Sequence, residues 1–288
     1  MTDTTTVVRL RSDGVTLVAD RWDPVDRPTR GTVLLLHGGG QTRHSWQRTG
    51  ERLARNGWSA LAVDARGHGD SDWADDGDYS IAAHARDVVA VAGVLDDPPV
   101  LVGASMGGMA SLIAQGSHPD LGRALVLVDI TPRAEPEGLA KISAFMHDGL
   151  AGFDTLEDAA AAVAAYNPHR RRRPRVDGLR KNLRMRDGRW YWHWDPRMLT
   201  HRENGPEQAG VREEQARTAA RAITVPTLLI RGAQSDVVSV DGARDLLDLI
   251  PGARHVDVGG AGHMVSGDDN DVLGEGLLEF LDGSVPTR

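Results

Sequence analysis

The 288-residue chain contains no cysteine, which excludes disulfides, thiolate metal ligands and a cysteine nucleophile, and leaves the redox compartment open. Positive charge is in deficit. Lys plus Arg number 33 against 41 Asp plus Glu, a formal net charge of −8, so the chain has no general electrostatic attraction to nucleic acid or anionic lipid. Long apolar runs are missing too: no window reaches the roughly 18 residues that a membrane span requires. Residues 1–14 are polar and lack the apolar centre of a signal peptide. These absences give the expectation of a cytoplasmic protein with neither nucleic acid nor membrane as partner, and with monomer and homodimer both open. Metal and nucleotide motifs are equally absent. There is no His-Glu-x-x-His, Asp75-Asp76-Gly77-Asp78 lacks calcium-loop spacing and reads as a turn, and Gly103–Gly108 puts Ser105 where a dinucleotide fingerprint needs its second glycine. Neither a metal nor a cofactor is expected.

What is present is enough chain for one large domain with a substantial core. Ser12-Asp13-Gly14 separates β-rich segments at 7–10 and 16–22 and predicts an antiparallel hairpin. Beyond it, apolar strands expected at 32–36, 59–63, 100–102, 124–128, 227–230 and 255–258 alternate with helical patterns at 44–56, 80–95, 106–117, 241–249 and 271–281. Such alternation predicts right-handed crossovers and an α/β fold with a mostly parallel sheet. It stops after Asp129. Residues 131–222 hold no strand of that kind; they carry an Ala-rich helical stretch, an arginine run and three of the chain's seven Trp. The expectation is a core of residues 1–130 and 223–288, with residues 131–222 inserted as a mostly helical cap over the strand ends.

The most informative stretch is Val100-Leu101-Val102-Gly103-Ala104-Ser105-Met106-Gly107-Gly108, an apolar strand breaking through Gly-x-Ser-x-Gly into a small-residue helix. A turn this tight presents a serine hydroxyl outward, with glycines where side chains would collide. Serine is a poor nucleophile near neutral pH and needs a base within reach and a carboxylate to orient that base. Of eleven histidines, His263 is the best placed, after a strand and in the glycine loop 259–262, whereas His255 lies inside the strand. Two acids follow strands: Asp129 and Asp236. Asp236 is favoured, because it gives the order Ser, Asp, His and follows the strand just before the one that supplies His263; Asp129 is then left to orient the start of the cap. Two oxyanion donors are expected from backbone amides, one from Met106 at a helix N-terminus and one from His37-Gly38-Gly39-Gly40, with Gly39 preferred over Gly40.

These pieces, with Asp64-Ala65-Arg66-Gly67-His68-Gly69-Asp70-Ser71, resemble the α/β-hydrolase family in its cap-bearing serine branch, over nearly the whole chain. The resemblance implies a serine nucleophile, no cofactor, a cap that shapes the pocket, and an ester-like substrate. Epoxide hydrolases and haloalkane dehalogenases of similar build carry Asp at the elbow. Ser105 therefore points to acyl chemistry on a small, largely apolar carboxylic ester or lactone. Carbon–carbon bond hydrolysis, lyase chemistry or a ligand-binding protein that retains the pocket are the alternatives, and a perhydrolase side reaction is known among similar serine members.

Candidate substrate contacts are His44 and Trp46 after the glycine loop, the isolated Tyr166, and Trp192 and Trp194 from the aromatic patch 189–196. The basic run 169–175 has no interleaved aromatics and reads as a solvated cap surface.

Overall fold

Apolar runs buried on both faces become the interior of a single sheet. In the computed structural model, which describes residues 5–166, 176–200, 208–263 and 270–285, eight strands lie in the order β1-β2-β4-β3-β5-β6-β9-β10. They are β1 (Thr6–Ser12), β2 (Val15–Trp22), β3 (Thr32–Leu36), β4 (Ser59–Val63), β5 (Val100–Ala104), β6 (Ala124–Val128), β9 (Thr227–Gly232) and β10 (Arg254–Val258). The β1–β2 and β2–β4 pairs are antiparallel and the remaining pairs parallel. The first hairpin turns at Asp13 and Gly14, both with positive φ, as its sequence predicts.

Successive side chains of the central strands feed two hydrophobic layers. Leu34, Leu36, Leu101, Leu125 and Leu127 face α2 (Ile81–Gly93), α3 (Met106–Ser117), α7 (Ala209–Arg221) and α8 (Val240–Leu249). Val33, Leu35, Val100, Val102 and Val126 face α1 (Gln47–Arg55) and the last helix, α9 (Asn270–Ser284). Edge strand β10 is mostly exposed and carries Arg254 and Asp257, which suits a strand with one unpaired side.

Between β6 and β9 the chain leaves the sheet. It forms α4 (Pro136–Asp148), α5 (Leu156–Tyr166), the single-turn α6 (Val176–Leu179) and a two-stranded hairpin of β7 (Leu183–Arg186) and β8 (Arg189–Trp192). The hairpin departs from the expected helical material. Its two-residue turn is Asp187-Gly188 with φ of 48° and 79°, the geometry that matches strand twist in tight hairpins. Phe153, Leu156, Val163, Trp190 and Trp192 surround Ala159, Leu179 and Leu183 in a small core belonging to this insertion. Helix α7 instead joins the main core, with Gly116 of α3 so close to Ala219 that a methyl group there would lie 2.6 Å from the Ala219 carbonyl oxygen. The basic run 169–175 lies outside the described residues.

Candidate active site

Ser105 stands between β5 and α3 with φ 47° and ψ −112°, in a backbone region that L-residues rarely adopt. Packing over-determines this conformation. A methyl group on Gly103 would lie 2.4 Å from the Gly107 carbonyl oxygen, and one on Gly107 would lie 2.6 Å from that of Leu36. The Ser105 amide donates to Val128 O at 3.1 Å, and the Gly107 amide donates to His37 O at 3.2 Å, which ties the elbow to both neighbouring strands.

His263 Nε2 lies 3.1 Å from Ser105 Oγ, and its Nδ1 lies 2.7 Å from Asp129 Oδ2. The loop after β10 makes this approach by folding back over the end of β9, with Ala233 N donating to Val258 O and Gln234 N to Ala261 O. Asp129, also at positive φ, is fully buried directly after β6, the strand beside the one that carries Ser105. Its Oδ1 accepts from Gly232 N at 2.8 Å, and its Oδ2 accepts from Ser235 Oγ at 2.6 Å as well as from His263. A carboxylate held by this many donors is fixed in position.

The acid favoured from sequence is therefore not the one beside the imidazole. Asp236 turns outward and pairs with Lys141 Nζ of α4 at 2.9 Å, with 44% of its side chain exposed. The cause is the turn after β9: Ser235 points inward onto Asp129, and its hydroxyl also accepts from the amides of Val237 and Val238. The next side chain is thereby directed toward solvent.

The glycine loop after β3 packs against the elbow: a methyl group on Gly38 would lie 3.4 Å from Ser105 Cβ, and one on Gly39 would lie 3.9 Å from Met106 Sδ. Two of the loop's amides are occupied. Gly38 N donates to Gln41 Oε1 at 3.0 Å and Gly40 N to His68 Nε2 at 3.1 Å. Gly39 lies between them, and Met106 opens α3 with its amide at the helix N-terminus. Burial keeps both neighbouring histidines neutral, lowering His37 to about 4 and His68 to about 3. Just beyond, Arg43 joins this loop to the one after β4, its amide donating to Asp64 Oδ1 at 2.6 Å and its Nε to Asp20 Oδ1 at 2.9 Å. Sequence reasoning passed over Ser235, Gln41, His68 and Arg43, because their partners lie on other loops and only the strand order brings them together.

The expected pocket residues divide. Trp194 is buried and its Nε1 lies 3.9 Å from where a methyl group on Gly40 would sit, with Met146 Cε of α4 at 3.8 Å from the same point. Trp192 lies 5.7 Å from Phe145 and 5.3 Å from Phe153, ring to ring. Tyr166 stacks on Phe145 at 4.5 Å; burial, with the charges of Asp236 and Asp129, pushes its phenol up to about 12. Of the three, Trp194 is the ring placed against the glycine loop, while Trp192 and Tyr166 pack on Phe145 within the insertion. Trp46 does not: it is fully buried in the opposite layer of the core, with Val33, Leu35 and Phe280. His44 is turned to Asp20, 3.5 Å from its carboxylate. Both lie on the first helical turns after the glycine loop, where the chain has already bent toward the α1 side of the sheet.

Residues 31–269 match the model of the alpha/beta hydrolase fold, and the chain belongs to that family. It is 32% identical over 268 residues to the esterase Rv0045c of Mycobacterium tuberculosis, covering 89% of this chain and 83% of that protein. It is also 30% identical over 227 residues to 2-(acetamidomethylene)succinate hydrolase of Mesorhizobium japonicum, covering 78% and 79% of the two chains. A crystal structure of E-2-(acetamidomethylene)succinate hydrolase superimposes with a TM-score of 0.82 at 25% identity, over 97% of this chain and all of that one. Among the described residues no helix is long and apolar enough to cross a membrane.

Proposed function

We propose that this protein is a serine hydrolase that cleaves a carboxylic ester or lactone of a small, largely apolar substrate through an acyl-enzyme. The observation that carries the reading is the hydrogen-bonded line from Ser105 Oγ through His263 to Asp129, at 3.1 and 2.7 Å. Similarity to a protein named an esterase supports the same bond class.

In this mechanism Ser105 Oγ attacks the carbonyl carbon as its proton passes to His263 Nε2. Asp129 holds the Nδ1–H and stabilises the imidazolium. The amides of Gly39 and Met106 receive the oxyanion, each such donor being worth about 2.7–4 kcal/mol of barrier. Collapse of the tetrahedral intermediate breaks the bond to the alkoxy oxygen, which takes the proton from His263 and leaves as the alcohol. Water then gives its proton to His263 and attacks the acyl carbon; the second collapse frees the acid and returns the proton to Ser105. No cofactor or metal enters. The insertion between β6 and β9 serves as the cap, with Trp192, Trp194 and Tyr166 as the apolar wall.

Hydrolysis of a panel of p-nitrophenyl esters and alkyl lactones of graded size, beside Ser105→Ala, tests the reading. Turnover that depends on Ser105 is the expected result. A folded wild type that turns over no member of the panel would remove ester and lactone hydrolysis and leave carbon–carbon chemistry or ligand binding.

A further inference from the structure

Two buried histidines, one from each of the loops after β3 and β4, are exchanged across the site. His37 Nε2 accepts the Ala65 amide at 3.0 Å, and His68 Nε2 accepts the Gly40 amide at 3.1 Å. Each ring nitrogen that accepts an amide must be unprotonated, so the remaining proton lies on Nδ1, which faces a local carbonyl: Gly38 O at 2.8 Å for His37 and Arg66 O at 3.1 Å for His68. The rings meet edge to face with centroids 5.0 Å apart.

The consequence falls on Gly39. A trans peptide points its N–H away from its C=O, and the Gly38 carbonyl is held by both His37 Nδ1–H and the Gln41 amide, the latter at 3.1 Å. The Gly39 N–H of that same peptide is turned the opposite way. The next peptide is held through Gly40 N by His68. Three consecutive glycines have no side chains to limit their backbone, so these bonds set where the Gly39 amide points. Gly40 itself, at φ 75°, has its amide engaged and is not free to receive an oxyanion.

The loop that carries His68 also carries the insertion. Gly69 N donates to His193 O and Asp195 N to Gly67 O, both at 2.8 Å, so that His68 is bridged antiparallel to Trp194. Asp195 is anchored in turn by Tyr79 Oη at 2.5 Å and Arg197 Nε at 2.8 Å.

We propose that His68 is a positioning residue, whose bare Nε2 fixes the Gly40 amide so that the Gly39 N–H is presented to the oxyanion, and whose own placement is set by the docked insertion. This rests on the ester-hydrolysis reading above. His68→Gln keeps an acceptor where Nε2 stood; His68→Leu removes it. The expected result on p-nitrophenyl butyrate is a kcat about tenfold or more lower for His68→Leu with KM within about threefold of wild type, and most of kcat restored in His68→Gln. Equal impairment of the two variants, or wild-type kcat in His68→Leu, would overturn the proposal. If the wild type hydrolyses no ester, it is the reading of the reaction that fails. Amide exchange and imidazole ¹⁵N spectra of the full chain then still decide the geometry: the expected result is a protected Gly40 amide and His68 protonated on Nδ1 alone at pH 7. Fast exchange at Gly40, or a proton on His68 Nε2, would overturn it whether or not His68→Leu folds.

Discussion

The hydroxyl of Ser235 lies 2.6 Å from Oδ2 of Asp129, on the same oxygen that accepts from His263. Asp129 is thereby the carboxylate held beside the imidazole, and Asp236 is paired with Lys141 at the surface. Asp129→Asn is predicted to lower kcat by about 10⁴, the scale set by a mispositioned or wrongly protonated imidazole. Asp236→Asn is predicted to stay within about threefold of wild type, because exposed ion pairs contribute little. Steady-state kinetics on one ester compares them; the reverse ranking would return the role to Asp236.

Ser235→Ala removes a donor to a buried carboxylate and the acceptor for the Val237 and Val238 amides. A loss of about 1–3 kcal/mol in unfolding free energy is expected. Urea denaturation monitored by circular dichroism measures it, and an unchanged midpoint would show that the turn holds without the hydroxyl.

Trp46 and Trp194 separate packing from recognition. Trp46 is fully buried on the α1 side of the sheet, so Trp46→Ala is predicted to cost about 3–5 kcal/mol of stability with the order of substrate preference unchanged. Trp194→Ala, beside Gly40, is predicted to change KM across a size-graded ester series. A Trp46 variant with altered size preference would contradict the placement.

Acid should destabilise the fold early. Burial lowers His37 to about 4, His68 to about 3 and His84 to about 3 from an ordinary value of 6.5. Below pH 6.5 the unfolded chain therefore binds protons that the folded chain does not. Stability from these groups is fully present above that pH and is lost progressively as pH falls to about 4 for His37 and about 3 for His68 and His84, on the order of 1 kcal/mol per pH unit for each histidine. Urea midpoints at pH 7.5, 6.5 and 5 check the sign, and a flat profile would mean that these rings are not held neutral.

The fold was legible in the sequence because most of the parallel strands are buried on both faces and read as uninterrupted apolar runs. Gly103 and Gly107 likewise marked the elbow, since the turn admits no side chain at either position. The choice between Asp129 and Asp236 was not legible in the same way. Both end strands, and what separates them is lateral order: β6 lies directly beside β5, and the loop after β10 passes over β9. The hairpin at Asp187-Gly188 was written in its turn residues and was obscured by the surrounding aromatic patch, which reads equally as a helix face. His68 stands in the stretch 64–71 that carries the resemblance, but its contact with the glycine loop was not visible there, because its partner is a backbone amide on another loop.

The proposed reaction passes through a covalent acyl intermediate on Ser105. The most direct test mixes the full-length protein with p-nitrophenyl acetate, quenches in acid within the first turnovers and locates the added mass by peptide mapping. One acetyl group is expected on the peptide that contains Ser105, formed with a burst of p-nitrophenol and absent in Ser105→Ala. Steady turnover with no acetyl group on that peptide, or undiminished turnover by Ser105→Ala, would contradict it.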